Sequence, residues 1–399
     1  MECPKCKIKL LKNGHNYTST GKVQRYKCPE CGFNAVEECE ANRSSRTDNQ
    51  WELIEKQNSS LKTENGRLKA FQKTIIETVE RSVVSLPTIH KPRIPKPKTQ
   101  YKEETSILLL SDFQLGSFVD PNLTARLAYY NKEELKKRAD LLIKKIYECV
   151  DIQRKAIPLR KLKINVLGDI VQGEDVFKGQ GFSLDALMME QVFQLGDEVL
   201  DRIFLPLAEL YEDIEIFCVP GNHGKAGGKH GTQSRQTNWD YIVYWLWKQR
   251  LQNIKHVKFY ISAPPFLIYE LYPGQNHALI HGQQARSYMG YPYYGIDRMY
   301  KKLTTLSGLV IHFLYHGHHH QPHTGEVAIG EIIGNGSFEG GSCYSVNDLL
   351  TANKPEQFFF GMNEHGKTWE YKLRLAEYTR LKPDENGIYT TLMFQKENS

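Results

Sequence analysis

Five apolar runs, each leading to a potential metal donor, constrain this chain more than any other feature of it. "SILLLSD" ends on Asp112, "KINVLGD" on Asp169 and "IEIFCVPGN" on Asn222, while "HALIHG" carries His281 and "VIHFLYHG" leads into His318 and His320. Short runs of Ile, Leu and Val read as buried strands, and the segments from about Asn131, Ser183 and Asn238 carry helical patterns. Strands alternating with helices predict an α/β domain, and the closer spacing of the later strands predicts a second sheet packed on the first. In such folds ligands collect where loops leave the carboxyl ends of strands. The donors therefore belong to one pocket.

The donor set mixes carboxylate, amide and imidazole, lacks thiolate, and is too large for a single tetrahedral ion. Two divalent cations about 3.5–4 Å apart, sharing one carboxylate, account for it; such pairs clamp the attacking and leaving oxygens of a phosphoryl displacement. Asp169 is the expected bridge, because Gly168 lets the backbone approach closely. In "FLYHGHHHQPH", Gly317 is expected to provide the turn. His318 and His320 then face the ions from alternate positions, and His319 points elsewhere. His316 and His323 either support those ligands or face a phosphate, whereas His256, His277 and His312 read as core histidines.

Taken in order, D-x-[HQ], GD, GNH, H and GH-x-H, each behind an apolar run, resemble the motifs of the calcineurin-like metallophosphoesterases. The resemblance covers roughly Ser106 to His323 and, by the following strands, extends to about Leu375. It implies a two-sheet sandwich flanked by helices. It also implies that Asp112, Asp169 and His320 bind one ion, and that Asp169, Asn222, His281 and His318 bind the other. His223 would not be a ligand but would donate to the phosphate or protonate the leaving oxygen, so His223 and Asp169 are the expected catalytic residues. Two positions depart from the family pattern. Gln114 stands where His is usual; an amide oxygen ligates more weakly and suits a harder ion such as Mn²⁺ or Mg²⁺, with iron and zinc as further candidates. Gly224 stands where an acid often orients the catalytic His, a task that would fall to another acid such as Asp240.

The remainder of the 399 residues is organised around that domain, which is expected over 103–399. Residues 1–40 contain "CPKC" and "CPEC", and paired knuckles of this kind bring Cys3, Cys6, Cys28 and Cys31 to one structural Zn²⁺. The segment is similar to the zinc ribbons of DNA-handling proteins. Residues 50–86 repeat Ile54, Leu61, Leu68 and Ile75 every seven positions, with Asn58 and Asn65 in the seam, which predicts a coiled-coil helix that pairs two copies of the chain. Residues 87–102, with Pro87, Pro92, Pro95 and Pro97 among cations, are expected to form an extended tether.

The formal charge is only +6, so its distribution matters more than its sum. Lys225, Lys229, His230 and Arg235 follow "GNHG", and Tyr288, Tyr291, Tyr293 and Tyr294 are interleaved with Arg286, Arg298, Lys301 and Lys302; such surroundings suit phosphates and unpaired bases. These features, with the ribbon, lead to the expectation of a DNA nuclease similar to the DNA-repair exonucleases of the superfamily, especially phage-encoded ones. The alternatives are a phosphatase or nucleotide phosphodiesterase whose ribbon recruits a protein, and a non-catalytic nucleic-acid scaffold. No apolar run approaches the roughly 18 residues of a spanning helix, and a cytoplasmic protein with no membrane partner is expected.

Overall fold

The computed structural model describes residues 1–18, 21–36, 84–95, 100–177, 179–226, 238–285 and 292–376, with isolated positions between 55 and 73 and the pair 387–388. The chain divides into two units, 1–71 and 72–399. In the first, strands β1 (Leu11–Thr18), β2 (Gly21–Lys27) and β3 (Asn34–Val36) form an antiparallel sheet in chain order. Its buried cluster is small: Cys3, Leu10 and Cys28, with Cys6, Tyr26, Phe33 and Ala35 against them. Residues 55–59 and 61–63 are helical. The heptad seam as a whole, and the pairing expected of it, lie outside the described residues.

The second unit is built on two sheets. Strands β4 (Glu104–Leu110), β5 (Leu159–Val166), β6 (Asp213–Cys218) and β7 (Val257–Ile261) run parallel in that order, and β13 (Glu356–Asn363) and β14 (Gly366–Arg374) extend the β4 edge antiparallel. The other sheet has the order β11 (His323–Val327), β12 (Gly330–Gly334), β10 (Phe313–His316), β9 (Gln275–Ile280), β8 (Phe266–Tyr272). The two-residue period of a strand sorts the core. Leu108 and Leu110 join α1 (Lys132–Arg154) and α2 (Trp239–Arg250), through Leu142, Ile146, Val243 and Trp247, in one cluster. Ile107 and Leu109 face the opposite way, meeting Leu279, Tyr315 and Ile333 between the sheets. Outside the second sheet, Leu314 and Ile332 pack on Ile296, Tyr300 and Leu303 of α3 (Tyr293–Ser307). The layers are helix, sheet, sheet, helix.

The expected tether differs in its described part. Residues 84–95 form no helix or strand, yet Leu86 N donates to the Arg250 carbonyl at 2.9 Å and Ile94 N to Glu212 Oε1 at 2.9 Å, while Leu86 and Ile89 pack on the helix-side core. A proline-rich backbone has few donors of its own to pair internally, so these apolar side chains find surface on the domain instead. The segment is a strap as far as Pro95.

Candidate metal centre

Every element expected to deliver a donor does so at its carboxyl end, and the donors come from both sheets. Asp112 follows β4, Asp169 follows β5, Asn222 and His223 follow β6, His281 follows β9, and His318 and His320 follow β10. Asp112, Gln114, Asp169, His318 and His320 all have positive φ, between 49° and 68°. This region is unfavourable for residues with a Cβ and clusters at functional sites, where the surrounding structure over-determines the backbone. Gly317 is not among the positive-φ residues, so the expected turn at Gly317 falls instead on His318 and His320. What Gly317 provides is space, since a Cβ there would lie 2.7 Å from Asp112 Oδ2. Gly168 combines both needs: its φ is 94°, and a Cβ would lie 2.5 Å from Gly221 N.

Ligand atoms of Asp169, His281 and His318 lie within 4.8 Å of one another. His281 Nδ1 donates to the Leu167 carbonyl at 2.7 Å, which turns Nε2 to the centre, 3.0 Å from Asp169 Oδ2 and 3.1 Å from Asn222 Oδ1. Two oxygens and an imidazole nitrogen therefore converge on one point. The carboxylate Asp112 meets His320 Nε2 at 3.3 Å and accepts from the His318 backbone N–H at 3.2 Å. Burial works to raise the pKa of Asp169, but His281 and His223 overcome it and hold the carboxyl well below its usual range; Asp112, similarly buried, is lowered by His320. Burial disfavours the charged forms of His281 and His320, yet Asp169 and Asp112 respectively raise them. His318 lacks such an ion pair, and burial lowers it.

Gln114, expected as a weaker ligand, lies beside Asp169. Its Nε2 donates to Asp169 Oδ2 at 3.3 Å, and its Oε1 is buried without a hydrogen-bond partner. The amide nitrogen has no free lone pair to give, so it is the Oε1 atom that could serve as a donor to a cation. Rotating the amide by half a turn would present the orphaned oxygen to the same space. The donor set as a whole fits a divalent cation: hard oxygens and imidazoles converge in a buried site, and an unpaired oxygen is held beside them.

His223 stands at the edge of this group, with Nε2 4.0 Å from Asp169 Oδ2 and its backbone N–H donating to Asp169 Oδ1 at 2.8 Å. Its Nδ1 donates to the Gln172 carbonyl at 2.9 Å. Asp240, expected as its acidic partner, serves elsewhere. The Asp240 carboxylate is fully buried and accepts from the backbone N–H groups of Asp169, Ile170, Val171 and Gly221, at 2.8–3.2 Å, so it fastens the β5 loop to the β6 loop. Burial and neighbouring Asp169 raise its pKa to about 6, against the pull of those donors. No local pattern marks this role, since the partners lie 19 to 71 positions away. Glu339 was equally hidden in the sequence: it is a buried carboxylate bonded to Ser117 Oγ, raised by burial, with His320 opposing.

At the chain's other end, Cys3, Cys6, Cys28 and Cys31 form a second candidate group, their sulfurs within 4.8 Å. Both knuckles close alike, by Lys7 N to Cys3 O at 2.9 Å and Gly32 N to Cys28 O at 3.1 Å. Four thiolates so spaced suit tetrahedral Zn²⁺. Of the aromatic and cationic positions expected to meet nucleic acid, Tyr293 and Tyr294 are exposed on α3, and Lys301 pairs with Asp297 at 2.6 Å. Lys225 is half-buried; Lys229, His230, Arg235, Arg286, Tyr288 and Tyr291 lie outside the described residues. Among the described residues, no helix is long and apolar enough to cross a membrane.

No family model matches the sequence, and no curated protein matches it significantly. Solved structures similar to the chain include Vps29 of Entamoeba histolytica complexed with zinc, at 12% identity, TM-score 0.32, covering 67% of this chain and 92% of that one. An archaeal phosphodiesterase is similar at 14% identity, TM-score 0.30, with 67% and 99% covered. A hypothetical protein of Pyrococcus horikoshii is similar at 14%, TM-score 0.35, with 69% and 89% covered. Likenesses this distant leave the chemistry to the geometry of the chain itself.

Proposed function

We propose that this chain is a metal-dependent phosphoesterase that hydrolyses phosphodiester bonds of nucleic acid, DNA in particular. The observation that carries the reading is the convergence of Asp169, Asn222, His281 and His318, with His223 Nε2 turned toward the same carboxylate. Asp169, Asn222, His281 and His318 would hold one divalent cation; Asp112 and His320, with Asp169 shared, would hold a second. Bound there, such cations supply Lewis-acid charge against phosphoryl oxygens. The residues of the chain do the rest. Asp240 and Gly168 keep the β5 and β6 loops in contact, so that the donors are positioned before substrate arrives. His223 is locked by Gln172 into the tautomer with a proton on Nδ1, which leaves Nε2 to carry and deliver a second proton to the departing oxygen.

Exposed residues of the two units, each taken by itself, suit nucleic acid. Exposed Tyr293 and Tyr294 offer faces to unpaired bases, and exposed Lys5, Lys7, Lys9, Lys12 and Lys27 of the first unit offer charge to a phosphate backbone. The test is incubation of the full chain with labelled single- and double-stranded DNA under Mn²⁺, Mg²⁺ and Zn²⁺, beside His223→Ala and Asp169→Asn. Degradation by the parent and not by the variants is expected. Cleavage of a bis-nitrophenyl phosphate without DNA cleavage overturns the nucleic-acid reading; cleavage of neither overturns the phosphoesterase reading. The Gln114 amide nitrogen facing Asp169 favours one other reading, a scaffold that binds without turnover. Metal analysis separates the two, because such a scaffold carries zinc at the cysteines and no ion at Asp169.

A further inference from the structure

On the second sheet, β12 lies between β10 and β11, and its Gly334 is the register partner of His316 on one side and of His323 on the other. The two imidazoles meet over that glycine. Their Nε2 atoms are 3.4 Å apart and their ring centroids 5.0 Å. A Cβ at position 334 would fall 2.4 Å from His323 Cε1 and 2.9 Å from His316 Cε1, so the approach depends on the missing side chain. Both residues are buried.

The hydrogens of this pair do not balance. His316 Nδ1 lies 2.9 Å from the Gly317 carbonyl and His323 Nδ1 lies 3.0 Å from the Gln321 carbonyl. A carbonyl only accepts, so each Nδ1 holds the single proton of its neutral ring, and the two Nε2 lone pairs then point at each other. A cation satisfies both lone pairs at once. Zn–N bonds of about 2.0–2.1 Å at a tetrahedral angle separate two ligand nitrogens by about 3.4 Å, and ligating histidines are commonly held by an Nδ1–H bond to a carbonyl. Beside the pair, the His319 ring is 5.8 Å from that of His316, and its Nε2 is buried without a partner.

We propose that His316 and His323 form a further cation site, for a borderline transition ion such as Zn²⁺ or Co²⁺, with His319 rotating in as a third donor. The site shares no ligand with the Asp169 group and does not depend on the phosphoesterase reading. It is tested on the full chain by Co²⁺ titration of Asp169→Asn protein given a single equivalent of Zn²⁺, which the four thiolates take before any imidazole pair, followed by visible absorption and elemental analysis. We expect one tightly held equivalent with tetrahedral bands, weakened at least tenfold by His323→Gln and by Gly334→Ala, with circular dichroism confirming that each variant is folded. Retention of the same equivalent at the same affinity in folded variants overturns the proposal. A second measurement needs no variant: anomalous diffraction at the zinc edge from crystals of the unaltered protein soaked in Zn²⁺. A peak between the two Nε2 atoms supports the site, and peaks at the cysteines and at Asp169 with none between His316 and His323 overturn it.

Discussion

Asp240 shows how much of a site can rest on a residue that faces away from it. Its two oxygens accept four backbone N–H groups from two loops. Asp240→Asn turns an NH₂ toward donors that need an acceptor and leaves some of them buried and unpaired, at about 1–3 kcal/mol each. We expect a lower urea midpoint for the 72–399 unit and weaker metal retention at Asp169, although no ligand is changed. His223 predicts the opposite pattern. Its side chain makes a single bond from the β6 loop to the β5 loop, to the Gln172 carbonyl, so His223→Ala should leave metal content near the parental value and cost little stability while turnover falls by about 10²–10⁴. Parallel measurements of kcat and metal stoichiometry on both variants distinguish holding the centre from using it. That the candidate donors gather at strand ends was legible in the sequence, because each follows an apolar run. Asp240 was legible as an acid near the site but not as a clamp, since a bond to backbone N–H groups leaves no trace in the residue types of its partners.

At the scale of elements, alternation of apolar runs and helical patterns foretold two sheets between helices, because the period of a strand is written in its side chains. The strap was misread for a related reason: a proline-rich segment lacks a period, and docking through Leu86 and Ile89 is a matter of what lies opposite. Replacing both by Ser should lower stability by about 1–3 kcal/mol, read from denaturant midpoints; no change would return the segment to the status of a tether. His277 of β9 tests the interior between the sheets. Its Nε2 donates to Gln275 Oε1 at 3.0 Å and its Nδ1 accepts from Tyr315 Oη at 2.7 Å, so the neutral ring is fully paired. Burial, with His312 and Lys163 adding like charge, pushes the ring down to about 3. In the unfolded chain it titrates near 6.5, so between these values the unfolded state binds the proton and the folded state does not. Stability should therefore fall as pH drops through this window, by up to about 1.4 kcal/mol per unit, and His277→Gln should flatten that slope in urea titrations.

The whole molecule joins two units of very unequal cores. The larger is held by three extensive apolar clusters, whereas among the described residues of the first the buried apolar cluster is Cys3, Leu10 and Cys28. A core of that size does little to support a sheet without a cross-link, so an ion at the four cysteines would carry most of the folding free energy of β1–β3. Cys28→Ser should accordingly abolish the dispersed amide signals of residues 1–36 and leave the calorimetric transition of the larger unit in place. The consequence for function follows from charge. If the exposed lysines of the first unit hold the phosphate backbone, their loss of fixed placement should weaken DNA binding and flatten its salt dependence, since each phosphate contact contributes a slope of about 0.9 in log K against log salt. Cleavage of a small diester, which needs only the Asp169 centre, should be unchanged. Equal loss of both activities would mean that the cysteines support the larger unit's chemistry directly, and loss of neither would assign the first unit to contacts other than DNA.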